Sequence, residues 1–496
     1  MGRRAQTPED AAPGDQPVDP CSGQEPRATS EAEKGAALNI GPILVRTLRH
    51  YWPGLNDRLD QIKDPRPQAS ITYHPRFLLY WGLSLFLFKL GSRRQLDYEL
   101  GKSGPQVLAN LNRLAGTKQT SLPVNKTLNN YLGQVGSQPV AALRTCLVRE
   151  VLRKKVLDES RLQGYRLVML DATGHLRFHQ RHCPHCLVRQ HESSTLYLHQ
   201  VLEAKLLGPG GIMISLGTAF IENPDLPPNA SAEQFKQDCE LKAWHRLAPE
   251  MKQDFKQLPI CICGDGLYLC GATLAECKAN DWRFLVVFKP KRLPSVWQDF
   301  QQLLKACPDQ KVEVDLPNKG KGKGKGTRQV YRWINNMSYT DSEGRTWTFN
   351  VIQCEETKAD GTTTTWAWAT DLAVNRNTVV EIAQRGGRKR WCIENEGFNV
   401  QKNSELRLEH AYSHGEEQIK AFYYLLQIAH MVLQLLEKGS LLRHLAEEVG
   451  QTPLQLFGSL KNMGRRLLES VRFLAWPEDA FCADAAKRIQ IRLNTS

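Results

Sequence analysis

At 496 residues the chain is long enough for about two to four domains and at least one substantial core. Its 41% apolar and 24% charged residues are ordinary for a globular protein, while a net charge of +13 makes a polyanion the first partner to test. Thirteen scattered cysteines argue against a disulfide scaffold and, with no apolar signal segment opening the chain, for a reducing cytoplasm.

Gly2 follows Met1, but Gln6 stands where a myristoylation signal needs Ser or Thr, so no lipid anchor is expected. Residues 1–38 carry almost no large apolar side chains and read as a disordered tail. From 39 to 160, apolar residues recur at three- and four-residue spacing, which predicts an all-helical N-terminal domain. Its last helix is strongly basic at 149–155, so DNA binding and a helical scaffold with solvated cations are both open readings. The most hydrophobic run, 77–88, is too short to span a bilayer and predicts a buried helix.

At Gly164 the texture changes. Strands are predicted at 167–170, 196–207, 212–221, 259–263 and 282–288, with helices at 232–247 and 272–279. That alternation argues an α/β layer around a central sheet. Residues 308–372 turn β-rich, with period-2 alternation, a turn at Ser342-Glu343-Gly344 and a flexible cationic loop at 319–326. Thr378 and Glu381 have capping-box spacing, Gly386-Gly387 breaks the helix they would start, and amphipathic helices at 419–437 and 441–468 close the chain.

The break leads into a burst of cations, Arg385, Arg388, Lys389 and Arg390, and then Glu394 and Glu396. At the helical period Arg390, Trp391, Glu394, Phe398 and Lys402 share one face, with Glu396 opposite. Glu394 is then either an i, i+4 salt-bridge partner of Arg390 or a metal-binding carboxylate in a basic groove. Two aspartates join it: Asp171 and Asp265 each follow an apolar strand at a Gly-containing turn, where open α/β sheets place functional groups. Three converging carboxylates suit two divalent ions, Mg²⁺ or Mn²⁺, that work on a phosphodiester.

LDATG, CGDGLY and RWCIENEGFN, in that order, resemble the three catalytic blocks of bacterial insertion-sequence transposases with a DDE domain. The longer second gap is similar to the subgroup with a β-strand insertion between its second Asp and its Glu. That subgroup's Tyr-x2-Arg-x3-Glu-x6-Lys signature is matched by Arg390 and Glu394, whereas Gly387 stands at the Tyr position and Gln401 at the Lys position, with Lys402 one residue late.

The resemblance covers about 164–435 and implies a ribonuclease H-like α/β catalytic domain at 161–307, a β-rich insertion at 308–372 and a closing helix with the third carboxylate at 373–437; the amphipathic pattern adds a helical C-terminal region at 438–496. It implies that Asp171, Asp265 and Glu394 hold two Mg²⁺ or Mn²⁺ ions. It also implies that Arg390, Lys402, Arg388 and Lys389 meet the backbone of double-stranded DNA. An aromatic ring would stack on a flipped base, with Trp333 and Trp366 the foremost candidates beside Trp347 and Trp368. The expected activity is cut-and-paste transposition by a DNA-bound homodimer acting on terminal inverted repeats and target DNA. The bacterial cytoplasm, at the nucleoid when DNA is bound, is its expected place, and no membrane is involved. Two other readings are an inactive DNA-binding relic and a sequence-nonspecific nuclease.

Just after Asp171, Cys183-Pro-His-Cys186 has the spacing of a metal knuckle. His179, His182 or His191 would complete a tetrahedral structural Zn²⁺ site; the alternative is a surface loop with reduced thiols.

Overall fold

Short apolar runs bounded by Gly and Pro become the middle of one mixed sheet of ten strands. They are β1 (Arg166–Phe178), β2 (Leu187–His191), β3 (Ser194–Leu207), β4 (Met213–Ile221), β5 (Ile260–Gly264), β6 (Arg283–Val287), β7 (Lys311–Leu316), β8 (Thr327–Thr340), β9 (Thr346–Thr357) and β10 (Thr363–Thr370). The computed structural model describes residues 40–102, 104–192, 194–224, 237–317, 326–448, 450–482 and 490–493. The expected tail at 1–38 and, but for Gly326, the cationic loop at 319–326 lie outside the described residues.

The sheet order is β2-β3-β1-β5-β6-β10-β9-β8-β7. One edge of β3 is shared, because β4 pairs with its residues 200–207 and β2 with residues 194–198. β1 and β3 are antiparallel, whereas β1, β5 and β6 are parallel. Parallel neighbours need crossovers, and the helices Glu240–Asp254 and Gly271–Ala279 lead into β5 and β6 respectively. β10 pairs antiparallel with β6, so the β-rich region extends the same sheet. An α/β class is what results.

Helices begin where local chemistry starts them. Pro75 occupies the first turn of Pro75–Leu87, and the His74 ring accepts from the Arg76 N–H. That helix is apolar all round and therefore enclosed. It packs on Glu416–Glu437, a 22-residue helix long and apolar enough by composition to cross a membrane, yet 94% buried over its apolar window by the rest of the protein. The Leu460–Phe473 helix returns to the N-terminal helices: Ser470 Oγ accepts from the Gly41 N–H at 3.2 Å, and Asn110 Nδ2 donates to the Val471 and Leu474 carbonyls.

Four local expectations differ. β1 continues through the anticipated turn after Asp171, because β3 keeps pairing with it up to Phe178 and the register shifts at His175, between Gly174 and Leu176. The expected 232–247 helix is observed as Glu240–Asp254, residues 225–236 being outside the described set. Thr378 makes no capping box; its hydroxyl donates to the Ala373 carbonyl at 2.8 Å instead. The 441–468 helix is three pieces, Ser440–Glu448, Pro453–Phe457 and Leu460–Phe473, since Gly450 and Gly458 take positive φ and Pro453 cannot continue a helix.

Between β3 and the Glu416–Glu437 helix lies a buried polar network. Lys205 and Glu203 are both fully buried and 3.4 Å apart. Lys205 Nζ donates to Gln427 Oε1 at 2.8 Å, and Gln427 Oε1 also accepts from Gln401, which touches His430. Glu203 Oε1 accepts from Tyr423 at 2.9 Å and from Thr218.

Nearby, His175 packs edge-on against Tyr423, and burial pushes its pKa down to about 3. A base lowered in this way stays neutral in the native state while the unfolded chain takes a proton below its usual value near 6.5. Its stabilising contribution is therefore complete above that value and is lost as pH falls toward about 3. His175→Leu should make the loss of stability between pH 7 and pH 5 smaller by about 2 kcal/mol, read from urea midpoints at the two pH values. An unchanged difference would remove His175 from the acid response.

Candidate active site

β1 and β5 are parallel, and Met169 pairs with Cys263. Asp171 and Asp265 thus each lie two residues beyond a paired position on adjacent strands, where the chain order of the sheet changes direction. β5 stops at Gly264 because Asp265 caps a short 3₁₀ turn, its carboxylate accepting from the Leu267 N–H at 2.8 Å. A Cβ at 264 would collide with the Tyr268 ring, so glycine is what lets this turn fold back on the strand.

Asp171 is partly buried, and its pKa is pushed up to about 7. Burial is the largest cause; Arg390 opposes it, while the negative charges of Glu394, Glu240 and Asp265 add to it. Glu240 was not singled out for this site from sequence. It begins its helix, accepts a hydrogen bond from the Tyr268 hydroxyl at 2.5 Å, and has its own pKa raised, by burial first and then by Asp265. Asp171 therefore feels three other carboxylates, and Glu240 feels Asp265.

Arg390 stands among them, 3.7 Å from Asp171 and ion-paired with Glu394. The i, i+4 pair read from the sequence is present, and it is joined to Asp171 through the same guanidinium. The segment is not regular α-helix: Ile382–Gly386 and Ile393–Asn399 are π-helical, separated by a 3₁₀ turn at Gly387–Lys389. The wider winding breaks the expected common face. Phe398 is buried under the Lys205 ammonium at 5.5 Å, whereas Trp391 is 47% exposed. Glu396 lies against Gly211 in a separate cleft of about 390 Å³, lined also by Arg385, Lys389 and Trp391.

The signature departures have steric reasons. A side chain at Gly387 would run into the Trp368 indole, with its Cβ 2.5 Å from ring carbon. Gln401 is fully buried in the polar network, and Lys402 Nζ pairs with Glu409 at 2.7 Å.

Of the other expected DNA-contacting residues, Trp333 is corrected: β8 alternation puts Gln329, Tyr331 and Trp333 on its buried face, closed to a base. Arg388 pairs with Glu356 at 2.6 Å and lies 4.2 Å over the Trp366 ring, so the two cover each other. Lys389 is exposed. Trp391 is the most exposed tryptophan of the described residues. Lys289 and Lys291 follow β6 at the same sheet edge and are exposed, and the Lys289 stem lies 3.9 Å from where Gly266 would carry a Cβ.

Cys183 gathers His182, one of the expected histidines, and a second histidine that was not expected. Cys183 and Cys186 meet His199 of β3, while His179 and His191 are exposed. β2 carries His191 five residues past Cys186, roughly 16 Å away, and the β2–β3 hairpin returns His199 to the cysteines because Leu187 pairs with Leu198. No family model matches the chain, and no curated protein matches it.

Proposed function

We propose that this protein is a DDE-type DNA transposase with a ribonuclease H-like core, cutting and rejoining DNA by phosphoryl transfer with two Mg²⁺ or Mn²⁺ ions. The observation that supports the reading is Asp171 at the changeover of the sheet, where the charges of Glu394, Glu240 and Asp265 all act on it. An all-oxygen donor set fits hard divalent cations, and the carboxylates around Asp171 help to raise its pKa. Asp171, Asp265 and Glu394 would hold them, with Glu240 beside Asp265. When bound, the ions supply an activated water or 3′-hydroxyl and neutralise the leaving oxygen. Arg390 balances the carboxylates' charge, and Lys289 and Lys291 bring positive charge to the phosphodiester. Pairing two DNA ends calls for at least a dimer in the complex.

The test is strand cleavage of a supercoiled plasmid bearing the genomic DNA that flanks the coding sequence, with Mg²⁺. Nicks confined to discrete ends support the proposal. Equal cutting of an unrelated plasmid indicates a nonspecific nuclease, and binding without cutting indicates a relic. Lys289→Ala should weaken DNA binding equally across sequences and reduce the slope of log affinity against log salt by about 0.9, measured by fluorescence anisotropy. An unchanged slope would place Lys289 outside the DNA path.

A further inference from the structure

We infer that Cys183, Cys186, His199 and His182 bind one structural Zn²⁺ ion. The loop from His179 to Cys186 has no regular secondary structure, yet its two thiols converge on one imidazole. Cys183 Sγ and Cys186 Sγ are 3.6 Å apart, and His199 Nε2 lies 3.4 Å and 3.3 Å from them. For a tetrahedral ion with ordinary Zn–S and Zn–N bonds, the ligand-to-ligand edges are roughly 3.8 Å for S–S and 3.5 Å for S–N. Three ligand atoms thus stand close to the edges of a zinc tetrahedron.

His199 is 5% exposed and is oriented from behind. Its Nδ1 faces Glu222 Oε1 at 3.5 Å, and Glu222 is held in turn by Lys420 Nζ at 2.8 Å. This carboxylate–histidine arrangement aims Nε2 forward, as in the outer shell of zinc sites. His182 supplies the fourth ligand. One of its ring nitrogens is within 4.8 Å of the ligand atoms of Cys183 and His199, and its Nδ1 is buried with no hydrogen-bond partner. Its ring is stacked on Phe178 at 4.4 Å, the last residue of β1.

Both cysteines bind as thiolates and release their protons to solvent; no electron is transferred. The ion joins the loop that follows β1 to the interior of β3 and, through Glu222 and Lys420, to the Glu416–Glu437 helix. It is separate from the carboxylate cluster in ligand type and in place.

The test is zinc content of the full chain, purified without a metal-affinity step, by plasma mass spectrometry. About one zinc per chain is expected. Cys183→Ser, Cys186→Ser and His199→Ala should each lose it, while His179→Ala and His191→Ala keep it. Because a ligand variant can misfold, Co²⁺ exchange into the wild-type chain gives a second reading: visible absorption of a tetrahedral thiolate site. A wild-type chain without stoichiometric zinc, a Cys183–Cys186 disulfide found by thiol counting, or loss of zinc in His191→Ala would each overturn the assignment.

Discussion

Asp171→Asn should reduce Mg²⁺-dependent DNA cleavage by about 10³-fold or more while making the metal-free protein more stable above pH 7. The opposite signs come from one cause. Asp171 has a pKa raised to about 7, so ionising it in the native state is unfavourable. An acid raised in this way gives its full stability below its unfolded value near 3.8 and loses it as pH rises through about 7. Asparagine keeps the shape and carries no charge, which removes a penalty on the order of 1–3 kcal/mol at pH 8. The measurements are plasmid nicking and urea unfolding in chelator at pH 5 and pH 8. Loss of cleavage with a stability gain that is larger at pH 8 than at pH 5 fits a catalytic carboxylate. A variant destabilised at both pH values would make Asp171 a structural acid and remove the basis for the two-ion site.

The second large effect lies in the core. Lys205→Met should destabilise the protein by about 3–5 kcal/mol, because Glu203 would be left fully buried without the ammonium it pairs with. Glu203 Oε2 has no hydrogen bond, only the nearby ammonium, while Oε1 accepts from the neutral hydroxyls of Tyr423 and Thr218. The double variant Lys205→Met, Glu203→Gln should recover most of the loss, since replacing both charges removes the desolvation problem. Urea unfolding of the two single variants and the double variant measures the coupling. If their effects simply add, the pair is not an interacting unit. Lys205 also lies beneath Phe398, so cleavage activity should fall in Lys205→Met beyond what its unfolded fraction explains.

The sequence was informative wherever structure is local. β5 and β6 were legible because continuous apolar runs between turn residues are fully covered on both faces. The Arg390–Glu394 pair was legible because its spacing survives the irregular winding of that segment. The π-helical turn itself was not, as it depends on how Gly386, Gly387 and Gly397 let the backbone approach Leu285, Trp368 and Lys205. His199 escaped for a related reason. It is thirteen residues past Cys186, and only the hairpin register between β2 and β3 brings the two together. Glu240 carried no motif; its role depends on the helix that crosses from the β4 side back to β5.

The helix at Glu416–Glu437 has a consequence for synthesis. It is made long after the Pro75–Leu87 helix and β4, yet both pack on it. At ordinary translation rates the N-terminal helices wait roughly half a minute or more for their central partner to leave the ribosome. During that interval the face of the Pro75–Leu87 helix that packs on the Glu416–Glu437 helix is uncovered, and that face is the natural place for a chaperone to hold the growing chain.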